Sequence, residues 1–440
     1  MAELHPLERD LHTLWELCQR VRTGIREGPT TKSEQQVFAY GLVAYAIELA
    51  TGVGWLTTVK NGPGAITLMT SLEAAQKTIE QVVNVMNTND LRSVLRTPKG
   101  SIKVNLAKSR NPMAKEFWDA VDNPLRTDCR HGGSVHWGWL MEADEAGRIW
   151  EHSIANQRKA VMGANAALVQ IVDLFGDSAQ ADLEWNLHQI TGNVWRDDDL
   201  NWDSSESGAS WNTPYRAIQR QDPPRGISQV AQAIIQYEKT ASHVFDVEWG
   251  ERRPEDAEEP WGEYRLYATG AAMALGESVY NLVQTGMYGA AFALARASWE
   301  SAANAHYVWN EEPSHQVLQF LRRDNRNRPI PLPKSRSGWK NPIAKKWRSL
   351  KGTSAKVLAE LAKGERVQGQ RWAAKVENSD YCPYNEGELA NLVRFAEMNL
   401  MFLKASYFHF EQAESTQTLV NLINQWEPEW PAFEVLDAAR

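Results

Sequence analysis

Residues 38–59 read FAYGLVAYAIELATGVGWLTTV, and the breaker Asn61-Gly62-Pro63-Gly64 follows. The run is apolar on every side and has the length of a long helix. Glu48 sits near its centre, at a cost of about 2.5–3.5 kcal/mol in lipid by analogy with Asp. Ala, Gly and Thr dilute its hydrophobicity further. The stretch therefore predicts a buried core helix over 33–60 rather than a membrane span. The breaker predicts a tight turn into a second apolar helix from Ala65 to Met86.

Outward from this hairpin, the apolar positions Leu7, Leu11, Leu14, Leu17 and Val21 follow a helical period over 7–27. Asn111-Pro112 predicts a helix start, with Asn as cap and Pro at the first position. A long helix is expected over 138–175, ending near Gly176. The rear of the chain repeats the order, with helices expected over 227–247, 262–285, 289–308 and 386–412 and a start at Asn341-Pro342. No stretch alternates apolar and polar residues as a half-buried strand would.

The chain also echoes itself. Arg110-Asn111-Pro112-Met113-Ala114-Lys115 returns as Lys340-Asn341-Pro342-Ile343-Ala344-Lys345, and Gly41 and Glu48 return as Gly270 and Glu277. The shifts are 230 and 229 residues. Near-equal shifts at separated points predict a duplicated unit. The expected fold is all-α: a helical bundle over 1–176, an acidic Trp-containing linker over 177–225, a second bundle over 226–412, and a C-terminal helix and tail over 413–440. The linker carries Asp197, Asp198, Asp199, Asp203 and Glu206. It reads either as a solvated connection or as an acidic strap folded back on the molecule.

Composition limits function more than it defines it. Hydrophobic content of 43% and charged content of 23% predict packed cores. A net charge of −8 disfavours indiscriminate nucleic-acid binding, although a local basic patch overrides it. Cys18, Cys129 and Cys382 are too dispersed for a zinc site or a disulfide framework. The N-terminus lacks a signal-peptide pattern, so a cytoplasmic protein without membrane partners is expected. No phosphate-binding loop, dinucleotide fingerprint, nucleophile elbow or H-E-x-x-H pair occurs.

Three sets of residues carry candidate chemistry. In Arg130-His131-Gly132-Gly133-Ser134-Val135-His136, an Arg precedes a His by six positions at the mouth of the expected long helix. This resembles the R-x(4–6)-H motif of the HEPN superfamily, helical bundles found in bacterial toxins and defence proteins. The resemblance implies a metal-independent, cofactor-free ribonuclease in which His136 acts on the ribose 2′-hydroxyl or the leaving group and Arg130 steadies the phosphate. The other reading is a solvated loop in which Ser134 caps a helix. Arg296-Ala297-Ser298-Trp299-Glu300 resembles the R-x-x-x-E helix of other bacterial helical families.

The second set is polar residues on apolar helices: Glu48, Glu73, Glu277, Arg296, Glu300 and His306. Glu48 is matched with Glu277, and Glu73 approximately with Glu300. A Glu among apolar residues is costly to bury unless paired. Pairing with Arg296, an indole or a backbone group, a polar pocket with His136 or His306, and a carboxylate metal cluster all remain open. No metal is assigned.

The third set is basic. Residues 92–115 include Lys108 and Arg110 and no acid. Residues 321–351 include Arg322, Arg323, Arg326, Arg328, Lys340, Lys345 and Lys346, with Trp339 and Trp347 among them. Cations beside aromatics suit a phosphate backbone with stacking bases. RNA or another nucleic acid is therefore the expected partner, and a non-catalytic helical scaffold that binds nucleic acid or a protein through these basic loops is the alternative.

Overall fold

The computed structural model describes residues 5–26, 34–86, 154–175, 212–219, 228–245, 260–310, 357–358, 361–362, 366–378, 380–407 and 421. Among them the protein is an all-α helical bundle. The helices are α1 (Pro6–Arg26), α2 (Glu34–Thr58), α3 (Gly62–Met86), α4 (Ile154–Phe175), α5 (Ser228–Phe245), α6 (Pro260–Gln284), α7 (Tyr288–Asn310), α8 (Arg366–Glu377) and α9 (Glu386–Tyr407). The expected helix starts at Asn111-Pro112 and Asn341-Pro342, the stretch 138–153 and, apart from the helical Asn421, the C-terminal helix from Glu414 lie outside the described residues.

The expected run over 33–60 forms α2. It holds Gln36–Thr58, a stretch long and apolar enough to cross a membrane, yet 83% of its apolar window is buried inside the protein. The breaker proves shorter in effect than expected. The helix α3 begins inside it at Gly62, because Pro63 falls in the first turn, where a missing N–H costs nothing.

The turns of the two hairpins share one backbone. Lys60 N donates to Thr57 O at 3.0 Å and Asn61 N to Leu56 O at 2.8 Å. Gly286 N donates to Val283 O at 3.1 Å and Met287 N to Leu282 O at 2.9 Å. Both are Schellman closures with one left-handed residue, Lys60 at φ 64° and Gly286 at φ 77°. The two turns match at a spacing of 226 residues, against the 229 and 230 of the sequence echo. A three-residue slip is close to one helical turn, so the apolar faces stay in phase and conceal it. At the spacing of the turns Glu48 stands opposite Ala274, Glu277 opposite Thr51, and Glu73 opposite Trp299.

Packing partners recur between front and rear. In front α2 packs on α3, α3 and α2 on α4, and α4 on α1; in the rear α6 packs on α7, α7 and α6 on α9, and α9 on α5. The hairpins then meet through α2, α3, α6 and α7. A β-carbon at Gly52 would lie 3.2 Å from that of Ala290, and one at Gly64 would collide with Ser278 Oγ. These two contacts exchange under the 226-residue shift. Small residues at this crossing let the backbones approach, and the same apolar core continues through both hairpins.

Two further segments bind the front hairpin. The helix α8, not expected from the sequence, packs on α2. Residues 212–219, inside the expected linker, dock on α1 and α2 as well. Tyr215 of the short 3₁₀ turn Pro214–Ala217 is fully buried and meets Trp15 edge-on at 5.2 Å. This part of the linker is thus anchored by an aromatic ring rather than solvated, and the acidic run at 197–206 lies outside the described residues.

Candidate functional site at the junction of the hairpins

The helix α7 starts without a cap of its own. The residue before it is Met287, which has no acceptor to offer the first N–H groups. Glu48 supplies one from α2. Its Oε1 accepts from Gly289 N at 2.5 Å and from Ala290 N at 3.2 Å. A carboxylate at a helix N-terminus is favoured by the dipole. Here burial outweighs that effect: it pushes the Glu48 carboxyl up to about 7, against the lowering pull of the two amides, Lys375 and Arg22.

A polar network surrounds this cap. Tyr45 Oη donates to Leu361 O at 3.3 Å, and Gln368 Nε2 donates to the same oxygen at 2.9 Å. Tyr384 Oη donates to Gln368 Oε1 at 2.7 Å and accepts from Trp372 Nε1 at 3.3 Å. The Tyr384 ring stacks on Phe292 at 4.7 Å, with Arg371 5.3 Å from its centre. Arg371 grips Glu388 with two bonds, at 3.0 and 2.6 Å. Asn385 and Glu388 form a capping box that starts α9: Glu388 N donates to Asn385 Oδ1 at 2.9 Å and Asn385 N to Glu388 Oε2 at 3.0 Å. Burial pushes Tyr45 and Tyr384 well above the usual phenol range, and Tyr288 to about 12. These phenols stay neutral hydrogen-bonding groups at physiological pH.

The other expected core residues are not gathered here. Glu73 is fully buried and pairs with Lys77 one turn on. Glu300 pairs with Arg296 at 3.0 Å, as the sequence pairing reading had it. Glu277 faces solvent and accepts from Asn281 Nδ2 at 3.3 Å. His306 is 3% exposed, packs on Phe402 at 4.6 Å, and is pushed down to about 4 by burial. Each carboxylate has its own local partner, and no group of three or more His, Cys, Asp or Glu suited to a metal occurs among the described residues. Arg130 and His136 lie outside the described residues, as do Lys108, Arg110, Arg322, Arg323, Arg326, Arg328, Lys340, Lys345 and Lys346.

Sequence reasoning missed most of the network. The Asn385-x-x-Glu388 spacing was a legible start signal. The buried ion pair of Asp10 with Arg158, at 2.6 Å between α1 and α4, had no signal, because its partners are far apart in the chain. Comparison of the chain with protein-family models, with curated proteins and with solved structures found no match.

Proposed function

We propose that this protein is a helical scaffold, built by doubling one helical unit, that binds nucleic acid through its basic segments 92–115 and 321–351. One observation carries the reading. The acids and the histidine singled out in the helical body are each engaged in packing, capping or a local pair, whereas the sequence concentrates basic residues in those two segments, the first without an acid and the second with Asp324 alone. The exchange of Gly52–Ala290 with Ser278–Gly64 supports the doubling. A body devoted to rigid packing and basic segments of which the second carries Trp339 and Trp347 suit binding to a phosphate backbone with stacked bases.

Binding of single-stranded RNA measured across a salt series tests it. The affinity is expected to fall steeply with salt, and reversing Arg322, Arg323, Lys345 and Lys346 to Glu is expected to reduce both affinity and salt slope. Salt-independent binding, or none, rejects the reading. The motif at Arg130 and His136 favours a second reading, a HEPN-like ribonuclease. RNA cleavage in a metal chelator, lost in His136→Ala with the fold intact, would put that reading first.

A further inference from the structure

We propose that Glu48 is a proton-operated latch between the two hairpins: with its carboxyl protonated the start of α7 stays docked on α2, and loss of that proton loosens it. The geometry is that of a bridge. Glu48 belongs to the front hairpin, and both groups it binds are main-chain amides of the rear one. The seat is tight. A β-carbon at Gly289 would come within 3.0 Å of Glu48 Oε1, Tyr384 Oη and Tyr45 Cε2 alike.

The groups facing Glu48 leave its charge poorly compensated. They are Tyr45 on its own helix, Arg22 of α1, Tyr288 at the start of α7, Lys375 of α8, and Tyr384 ahead of α9, with Cys382 beside Tyr288. Glu48 forms no ion pair among the described residues. Lys375 Nζ donates instead to Tyr381 O at 3.3 Å, and Arg371 is taken by Glu388. Among the described residues, the half-buried carboxylate of an ionised Glu48 is therefore met by two amides, with Arg22 and Lys375 acting on it without an ion pair. When the junction parts, water solvates that charge. A neutral carboxyl still offers its carbonyl oxygen to Gly289 and Ala290, so the docked arrangement survives protonation. The folded carboxyl titrates near 7 against an ordinary value of 4.5, so rising pH favours the parted form.

Amide hydrogen exchange on the full chain at pH 6 and pH 8, corrected for intrinsic rates, tests the latch. Protection of residues 285–295 is expected to drop by about tenfold between the two pH values in the wild type. It stays level in Glu48→Gln, whose amide oxygen keeps the cap without a titrating group. The drop persists in Cys382→Ser. Three results would overturn the proposal: level protection in the wild type, an equal drop in Glu48→Gln, or an equal drop in every peptide of the chain.

Discussion

The turn of the front hairpin and the turn of the rear hairpin run through the same hydrogen bonds with different side chains. In front, the left-handed position holds Lys60, and Asn61 follows as cap. Its Oδ1 accepts from Gly64 N at 3.0 Å while its Nδ2 reaches across to Ala274 O at 2.9 Å. In the rear, the left-handed position holds Gly286, and Met287 follows, buried and unable to cap. The front turn thus satisfies its own helix start and reaches the rear hairpin in addition. The rear turn depends on the front hairpin for its cap. One backbone solution, met with two sets of residues, makes the dependence between hairpins unequal, and Glu48 is where the inequality is concentrated.

The hairpins also carry groups, Glu48 half-buried and His306 buried, whose titration is shifted in opposite senses. Glu48 on the front hairpin takes up its proton more readily folded than unfolded, so its contribution to stability is largest below about 4.5 and is lost as pH rises through 7. His306 on the rear hairpin is held neutral by burial, with a folded value near 4 against 6.5 unfolded. Its contribution is complete above 6.5 and is lost as pH falls toward 4. The largest expected effect follows from this contrast. Denaturation across that range should show the wild type losing on the order of 3 kcal/mol on acidification relative to His306→Gln. The absolute fall in stability should be steeper in a Glu48→Gln background, because Glu48 opposes it from 7 down to 4.5, while the difference made by His306→Gln should stay the same. Parallel pH profiles for the wild type and His306→Gln would mean that the rear hairpin has no such buried neutral imidazole.

Next in size is the capping contrast itself. Asn61→Ala removes a cap and a bond between hairpins together, and a loss of about 2 kcal/mol is expected by chemical denaturation. Glu48→Ala at pH 8 removes a cap but also relieves a half-buried charge, so a smaller loss of about 1 kcal/mol is expected. The order of the two is the point. If Glu48→Ala costs more, the rear hairpin relies on the front for more than its helix start.

The helices themselves were largely legible, since apolar periodicity and breakers act within one segment. The stretch at 38–59 announced α2, and Pro63 misplaced the start of α3 by only one turn. The helix α8 was hidden because Arg371, Lys375 and Glu377 surround the buried pair Gln368 and Trp372, leaving too short an apolar stripe to read. The site was legible by half. A Glu in an apolar run marks a position that needs partners, but the partners of Glu48 are main-chain amides of Gly289 and Ala290, and an amide has no signature in a sequence. Likewise His306 stood out, whereas Phe402 beneath it did not. The matched pair Glu48 and Glu277 misled, because a slip of about one turn preserves the pattern while moving one carboxylate into solvent. The readings at Arg130 and His136 and in the basic segments still rest on sequence alone.

The smallest expected effect isolates the backbone from everything else. Lys60 occupies a left-handed conformation that costs an L-residue roughly 1 kcal/mol, and the rear turn avoids that cost with Gly286. Lys60→Gly should therefore stabilise the protein by about 0.5–1 kcal/mol, less than the full strain because glycine also enlarges the freedom of the unfolded chain. Gly286→Ala should destabilise it by about 1 kcal/mol. Neither change touches a capping side chain, Glu48 or His306, so both effects should be independent of pH between 6 and 8. Opposite signs of similar size are what equal backbones require. If Lys60→Gly destabilises instead, the lysine side chain contributes something at the front turn that outweighs its strain, and the two turns are alike in hydrogen bonds only.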